Sequence, residues 1–116
     1  MRRIVAVIAL GAAAVGCSTV DPSPKLKAAT SSIEAAKAAG AANDPVASEK
    51  LAQAEKYLAS AQDLIKKGDN TAAVSQLSLA SAAADDAKMH AVEATNIAKG
   101  KELDAQIADL KAKLGK

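Results

Sequence analysis

The chain has 116 residues, with 15 Lys and Arg against 13 Asp and Glu, a formal net charge of +2. Arg2 and Arg3 account for that excess, because residues 17–116 carry 13 Lys and 13 acids and are neutral. With no Trp, no Phe, and only Tyr57, Cys17 and His90 of their types, the composition lacks the basic stripe and stacking rings of a nucleic-acid binder. It also lacks the clusters that a metal site or a nucleophilic triad needs. The expectation is therefore a non-catalytic protein with no cofactor, no metal and no nucleic-acid partner.

Residues 1–16 begin with a charged Arg2-Arg3 pair and continue as an apolar run from Ile4 to Val15. Twelve residues fall short of the roughly 18 to 20 that cross a bilayer as a helix, so the segment reads as a cleaved signal peptide. The Arg pair lacks the rest of a twin-arginine signal, and ordinary export is expected. Its end, Ala14-Val15-Gly16-Cys17, resembles the bacterial lipobox, with Ala at a first position where Leu or Val is commoner. The resemblance implies cleavage between Gly16 and Cys17 and diacylglycerol on the Cys17 thiol. A lone Cys in an exported chain has no disulfide partner, and lipidation accounts for its solitude. Two or three acyl chains, at about 0.8 kcal/mol per buried methylene, hold a protein on a membrane without any span. Ser18 follows the cysteine; by resemblance to diderm lipoproteins an Asp there would retain the protein in the inner membrane, so the implied location is the outer membrane, on its periplasmic face.

Residues 17–23 read as a lipidated Cys and a short tether, whose last six residues reach about 20 Å at full extension. Residues 24–116 form one alanine-rich domain without strand-forming clusters, and the predicted class is all-α. Ser23 with Pro24 predicts a first helix over 24–39, ending at Gly40, with Leu26, Ile33 and Ala36 on one side. Asp44-Pro45 opens a second, with a stripe at Ala47, Leu51, Ala54, Leu58, Ala61 and Ile65, closed by Lys66-Lys67-Gly68. Asp69-Asn70 links it to a third, with a stripe at Val74, Leu77, Ala80, Ala84, Ala87, Ala91, Ala94 and Ala98. Short links make antiparallel neighbours, so the architecture is a helical hairpin or three-helix bundle with a long C-terminal helix. Only 19 Leu, Ile, Val, Met or Tyr residues occur after Gly16, which predicts a thin core and modest stability.

Around Gly100 the register changes. Leu103, Ile107, Leu110 and Leu114 begin five residues after Ala98, a rotation of about 140° on an ideal helix. The third helix, if unbroken, outreaches the second by roughly half its length. Either Gly100 lets the tail fold back, or the tail projects and offers a leucine seam to a protein partner or a second copy.

The mature chain resembles a family of small bacterial lipoproteins with an alanine-rich helical domain of unknown function, the 4398 type. The matching features are the Cys17 leader, Asp44-Pro45, Leu51, Ala54, Leu58, Ala61, the break at Lys67-Gly68-Asp69-Asn70 and the alanines from Ala80 to Ala98. That family implies no established activity. Tyr57, Ala61, Leu64, Gly68, Ala73, Leu77 and Ala80 also resemble one tetratricopeptide hairpin, with Asp85 where the repeat has proline and one unit where about three are needed. A third resemblance is to murein lipoproteins, which implies attachment of peptidoglycan at Lys116. The neighbouring Arg of that pattern is missing, and the Gly and Pro breaks are foreign to a straight alanine zipper. Asp86 and His90, four apart, read as a solvated surface pair. Adjacent Asp85 and Asp86 diverge by about 100° and make no cation site. Tyr57 reads as a packing residue.

Overall fold

The computed structural model describes residues 19–115. Within them the chain is all-α, with α1 (Ser23–Ala38), a 3-10 turn (Ala41–Asn43), α2 (Pro45–Lys66) and α3 (Asn70–Leu114), and no strand. The segment 1–16 expected to be a signal peptide, together with Cys17, Ser18 and Lys116, lies outside the described residues.

Aspartates start the helices. The Asp44 carboxylate accepts a hydrogen bond from the Ala47 N–H at 2.8 Å, and Asp69 accepts from the Ala72 N–H at 3.1 Å. Each such cap contributes about 1 kcal/mol relative to Ala. At α1 the expected Ser23 cap is corrected: Ser23 is the first helical residue, and the Asp21 carboxylate accepts from its N–H at 2.9 Å. An Asp side chain reaches the amide two residues on, and a charged acceptor holds it more strongly than a hydroxyl does. The Ser23 backbone N–H, and secondarily its side chain, hold the Asp21 carboxyl below its ordinary value. This contact is complete above the ordinary carboxylate range and is lost as pH falls through the lowered value. The tether accordingly ends before Ser23, because Pro22 is buried and its carbonyl accepts from the Leu26 N–H at 2.8 Å.

Gly40 and Gly68 stop α1 and α2 in the left-handed region, at φ 87° and 82°. After α2 the Gly68 N–H donates to the Ile65 carbonyl and the Asp69 N–H to the Leu64 carbonyl. That pair of bonds satisfies carbonyls the helix would leave open and reverses the chain within a few residues.

The three helices alternate in direction, so α1 and α3 run the same way. Two buried clusters fix their alignment. At one end Ala29, Ala61, Leu77 and Ala80 meet, with Leu26, Tyr57 and Leu58 packed against them. At the other, Ile33, Ala36, Ala47, Leu51, Ala84 and Ala87 meet, with Ala41 of the turn and Ala91 closing the top. Both α1 and α2 lie chiefly on α3 and touch each other more thinly; Lys37 Nζ bridges to Glu55 at 2.7 Å between them. Because α1 and α2 straddle α3, the covered face of α3 is the strip between them. Ala73 is therefore buried where Val74 was expected, and Val74 is half-buried at the rim. Ala94 is half-buried and Ala98 exposed, because only the edge of the α1–α2 turn reaches them. Leu26, Leu58 and Ile65 are likewise half-buried at the edges.

Among the described residues, eleven of the fourteen that form the buried apolar core are alanine, and Leu77 is the one large side chain that is fully enclosed. Leu77→Ala should cost about 2–5 kcal/mol by urea unfolding, a large share of a small domain's stability. The two kinds of glycine should respond oppositely in thermal melts. Gly68→Ala forces a side chain into the left-handed region and should lose about 1–2 kcal/mol. At Gly100, which is helical, an added Cβ meets no atom within 4 Å; Gly100→Ala should gain about 0.5–1 kcal/mol.

Candidate functional site

With 45 residues in α3 against 22 in α2, the lengths at about 1.5 Å per residue are about 67 and 33 Å. The excess projects at one end. The first turn of α1 and the α2–α3 reversal lie together at the other, since Leu26, Ala61 and Leu77 share a cluster. Beyond the turn at Gly40, Asn43 and Asp44, which sits beside Ala91, Ala94 and Ala98, every described residue of α3 is exposed.

Gly100 does not break the helix. Its neighbours Ala98, Lys99, Lys101, Glu102 and Leu103 are strong helix formers, and one glycine costs only about 1 kcal/mol. Two i,i+4 contacts add a few tenths each: Lys113 to Asp109 at 2.8 Å, and Gln106 Nε2 donating to Glu102 Oε1 at 3.4 Å.

Leu103, Ile107, Leu110 and Leu114 all stand on one face of this tail, and Leu114 leaves 85% of its surface in water. At spacings of four, three and four they fall within an arc of about 60°. Followed back toward the bundle, the same arc contains Met89 and Val92, with Asn96 between them and the tail. Met89 is 68% exposed, and with Val92 and Ile97 it floors a shallow groove edged by Asp85, Lys88 and Glu93. α3 thus carries two apolar stripes, a buried alanine stripe and an exposed one about 130° around the helix. The exposed stripe runs from Met89 to Leu114, past the glycine that marked its start in the sequence. Reading the sequence from Ala98 forward missed Met89 and Val92. The signal was present, since Met89 and Leu103 are fourteen residues apart, two turns of a seven-residue repeat.

The remaining candidates are structural. Asp86 lies 3.6 Å from His90 and 3.4 Å from Lys50 of α2, and His90 lies 3.9 Å from Glu93. All four side chains are partly solvated; the Lys50–Asp86 pair latches α2 to α3, and His90 and Glu93 also line the shallow groove beside Met89. Tyr57 packs against the lower cluster, and its hydroxyl accepts from Gln53 Nε2 at 3.3 Å. Among the described residues no group of three His, Cys, Asp or Glu side chains is placed to hold a metal ion, and no helix is long and apolar enough to cross a membrane. Comparisons with protein-family models, curated proteins and solved structures returned no match to the chain.

The tail helix has no tertiary packing, and an isolated helix of this length is marginal in water. Hydrogen exchange of the dilute protein should show residues 101–114 protected no more than about tenfold over an unfolded chain, while Leu77–Ala91 amides exchange through global opening. Equal protection of both segments at every concentration would mean that the tail is packed.

Proposed function

We propose that the chain is a lipoprotein of the bacterial outer membrane, held by acylated Cys17 on the periplasmic face, and that its helical body is a non-catalytic structural or interaction module. The observation that carries this reading is the unpartnered apolar stripe from Met89 to Leu114 at the end of the molecule remote from the tether. Residues 19–22 enter the bundle beside the α2–α3 turn, and α3 runs away from them for about 67 Å. An anchor at one end and a sticky helix at the other is the layout of a spacer that displays a binding surface at a distance from its membrane. The lipobox-like Ala14-Val15-Gly16-Cys17 supports the anchor, and the residue pattern quoted above supports kinship with alanine-rich envelope lipoproteins.

Growth on an alkyne-tagged fatty acid followed by fractionation tests the anchor. The wild-type chain should be labelled and recovered with outer membranes; Cys17→Ser should lose the label and keep its leader. Unmodified Cys17 on a protein free in the periplasm would remove the anchor from this reading. Boiling cells in SDS and probing the sacculi before and after lysozyme tests the wall. The expected outcome is protein entirely in the SDS-soluble fraction. Release by lysozyme alone, abolished by deleting Lys116, would make the chain a covalent tether to peptidoglycan.

A further inference from the structure

We infer that the exposed stripe of α3 is the seam of a parallel, in-register homodimer, in which two copies wind together from Met89 to Leu114. The inference deepens the interaction module proposed above by naming its partner as a second copy of this chain.

The stripe follows a seven-residue repeat. Met89, Asn96, Leu103 and Leu110 recur every seven residues, as do Glu93, Gly100, Ile107 and Leu114. In heptad terms the first set holds d and the second a, and β-branched Ile at a with Leu at d favours two parallel strands. The residues beside the seam agree. In a parallel pair each g side chain meets the e side chain five residues on in the partner, which pairs Lys99 with Asp104 and Val92 with Ile97, each twice across the two-fold axis. Gln106 meets Lys111, so no flanking pair between Met89 and Leu114 sets like charges together.

The flanking residues decide against an antiparallel pair. Laying Met89 of one copy on Leu114 of the other would also cover the stripe, but it sets Ile97 beside Asp104 and separates Lys99 from Asp104. The parallel pair matches both. The seven apolar side chains at or beside the seam are each between 43% and 85% exposed. Covered completely, they would remove on the order of 700 Å² per copy from water, somewhat below the roughly 800 Å² per partner of a standard-size complex. The bundle leaves room for a partner, because α1 ends at Ala38 and the α1–α2 turn sits on the alanine side of α3. Two anchors in one membrane impose the same direction, but the seam argument stands without them.

One layer opposes the dimer. Glu93 occupies an a position and faces its own copy, while Asn96 can pair with its counterpart and Gly100 leaves a gap. In-register pairing therefore makes a specific demand: Glu93→Leu should tighten the dimer about tenfold or more, and Glu93→Cys should cross-link to its own counterpart, whereas in an antiparallel pair the two copies of that position lie about 25 Å apart.

Cysteine cross-linking of the full-length chain in mild detergent tests the arrangement, with Cys17→Ser as background so that the outcome does not depend on lipidation. Gly100→Cys places the thiol on the two-fold axis, and Ala105→Cys places it on the outer face. Mild oxidation should give a disulfide dimer from Gly100→Cys at least tenfold faster than from Ala105→Cys, and Leu103→Glu with Leu110→Glu should abolish it. Circular dichroism of that double variant should retain the bundle's cooperative melt. Equal cross-linking at both positions, cross-linking that survives the double variant, or a monomer throughout would overturn the dimer, while the fatty-acid label on wild-type Cys17 would still decide the anchor separately.

Discussion

An alanine buried between helices contributes a single methyl group to the core, yet it lets the facing backbones approach the close end of the usual 8 to 10 Å separation. In this protein that trade sets everything else. The alanine strip of α3, from Ala73 through Ala91 with Leu77 as its one large member, receives α1 on one side and α2 on the other. The helices are further supported by high alanine propensity, by aspartate caps and by glycine stops. Small side chains give little apolar area, so the enclosed Leu77 carries an outsized share of the burial.

The same economy explains the distribution of the larger side chains. A core built on alanine leaves no enclosed volume for them, and Val46, Leu79, Met89, Val92, Ile97 and the tail leucines remain exposed. Scattered singles such as Val46 and Leu79 are ordinary on a surface. The members of the Met89–Leu114 stripe are not scattered, because they keep one face over about seven helical turns. That stripe, interrupted at Asn96 and Gly100, is the surface proposed above as an interaction site. α3 therefore carries two surfaces at once: its alanine face organises its own bundle, and its larger apolar face stays exposed.

The placement of the two ends joins this to the proposed role. The chain enters the bundle beside the α2–α3 turn and leaves it along a helix about 67 Å long. Charge is spent on solubility and on latches such as Lys50–Asp86 and Lys37–Glu55, partly exposed pairs that contribute at most about 1 kcal/mol each. The reading as a spacer with a docking stripe rests on these features of the described residues.

The sequence by itself determined the helical class, the number of helices and their breaks, because proline, capping aspartate and glycine act within a few residues of where they stand. It also put Leu103, Ile107, Leu110 and Leu114 on one face of the tail, since their spacing is a local periodicity. Three features required the tertiary structure. Which edge of α3 is buried depends on two helices straddling it, which exchanged Val74 for Ala73. Where burial stops depends on the length of the α1–α2 hairpin, which left Ala98 in water. The continuity of α3 through Gly100 depends on helix formers on both sides outweighing one glycine, and it joins Met89 and Val92 to the tail as one stripe. Local signals state where a helix begins and ends; only the packed arrangement states which of its faces is left for something else.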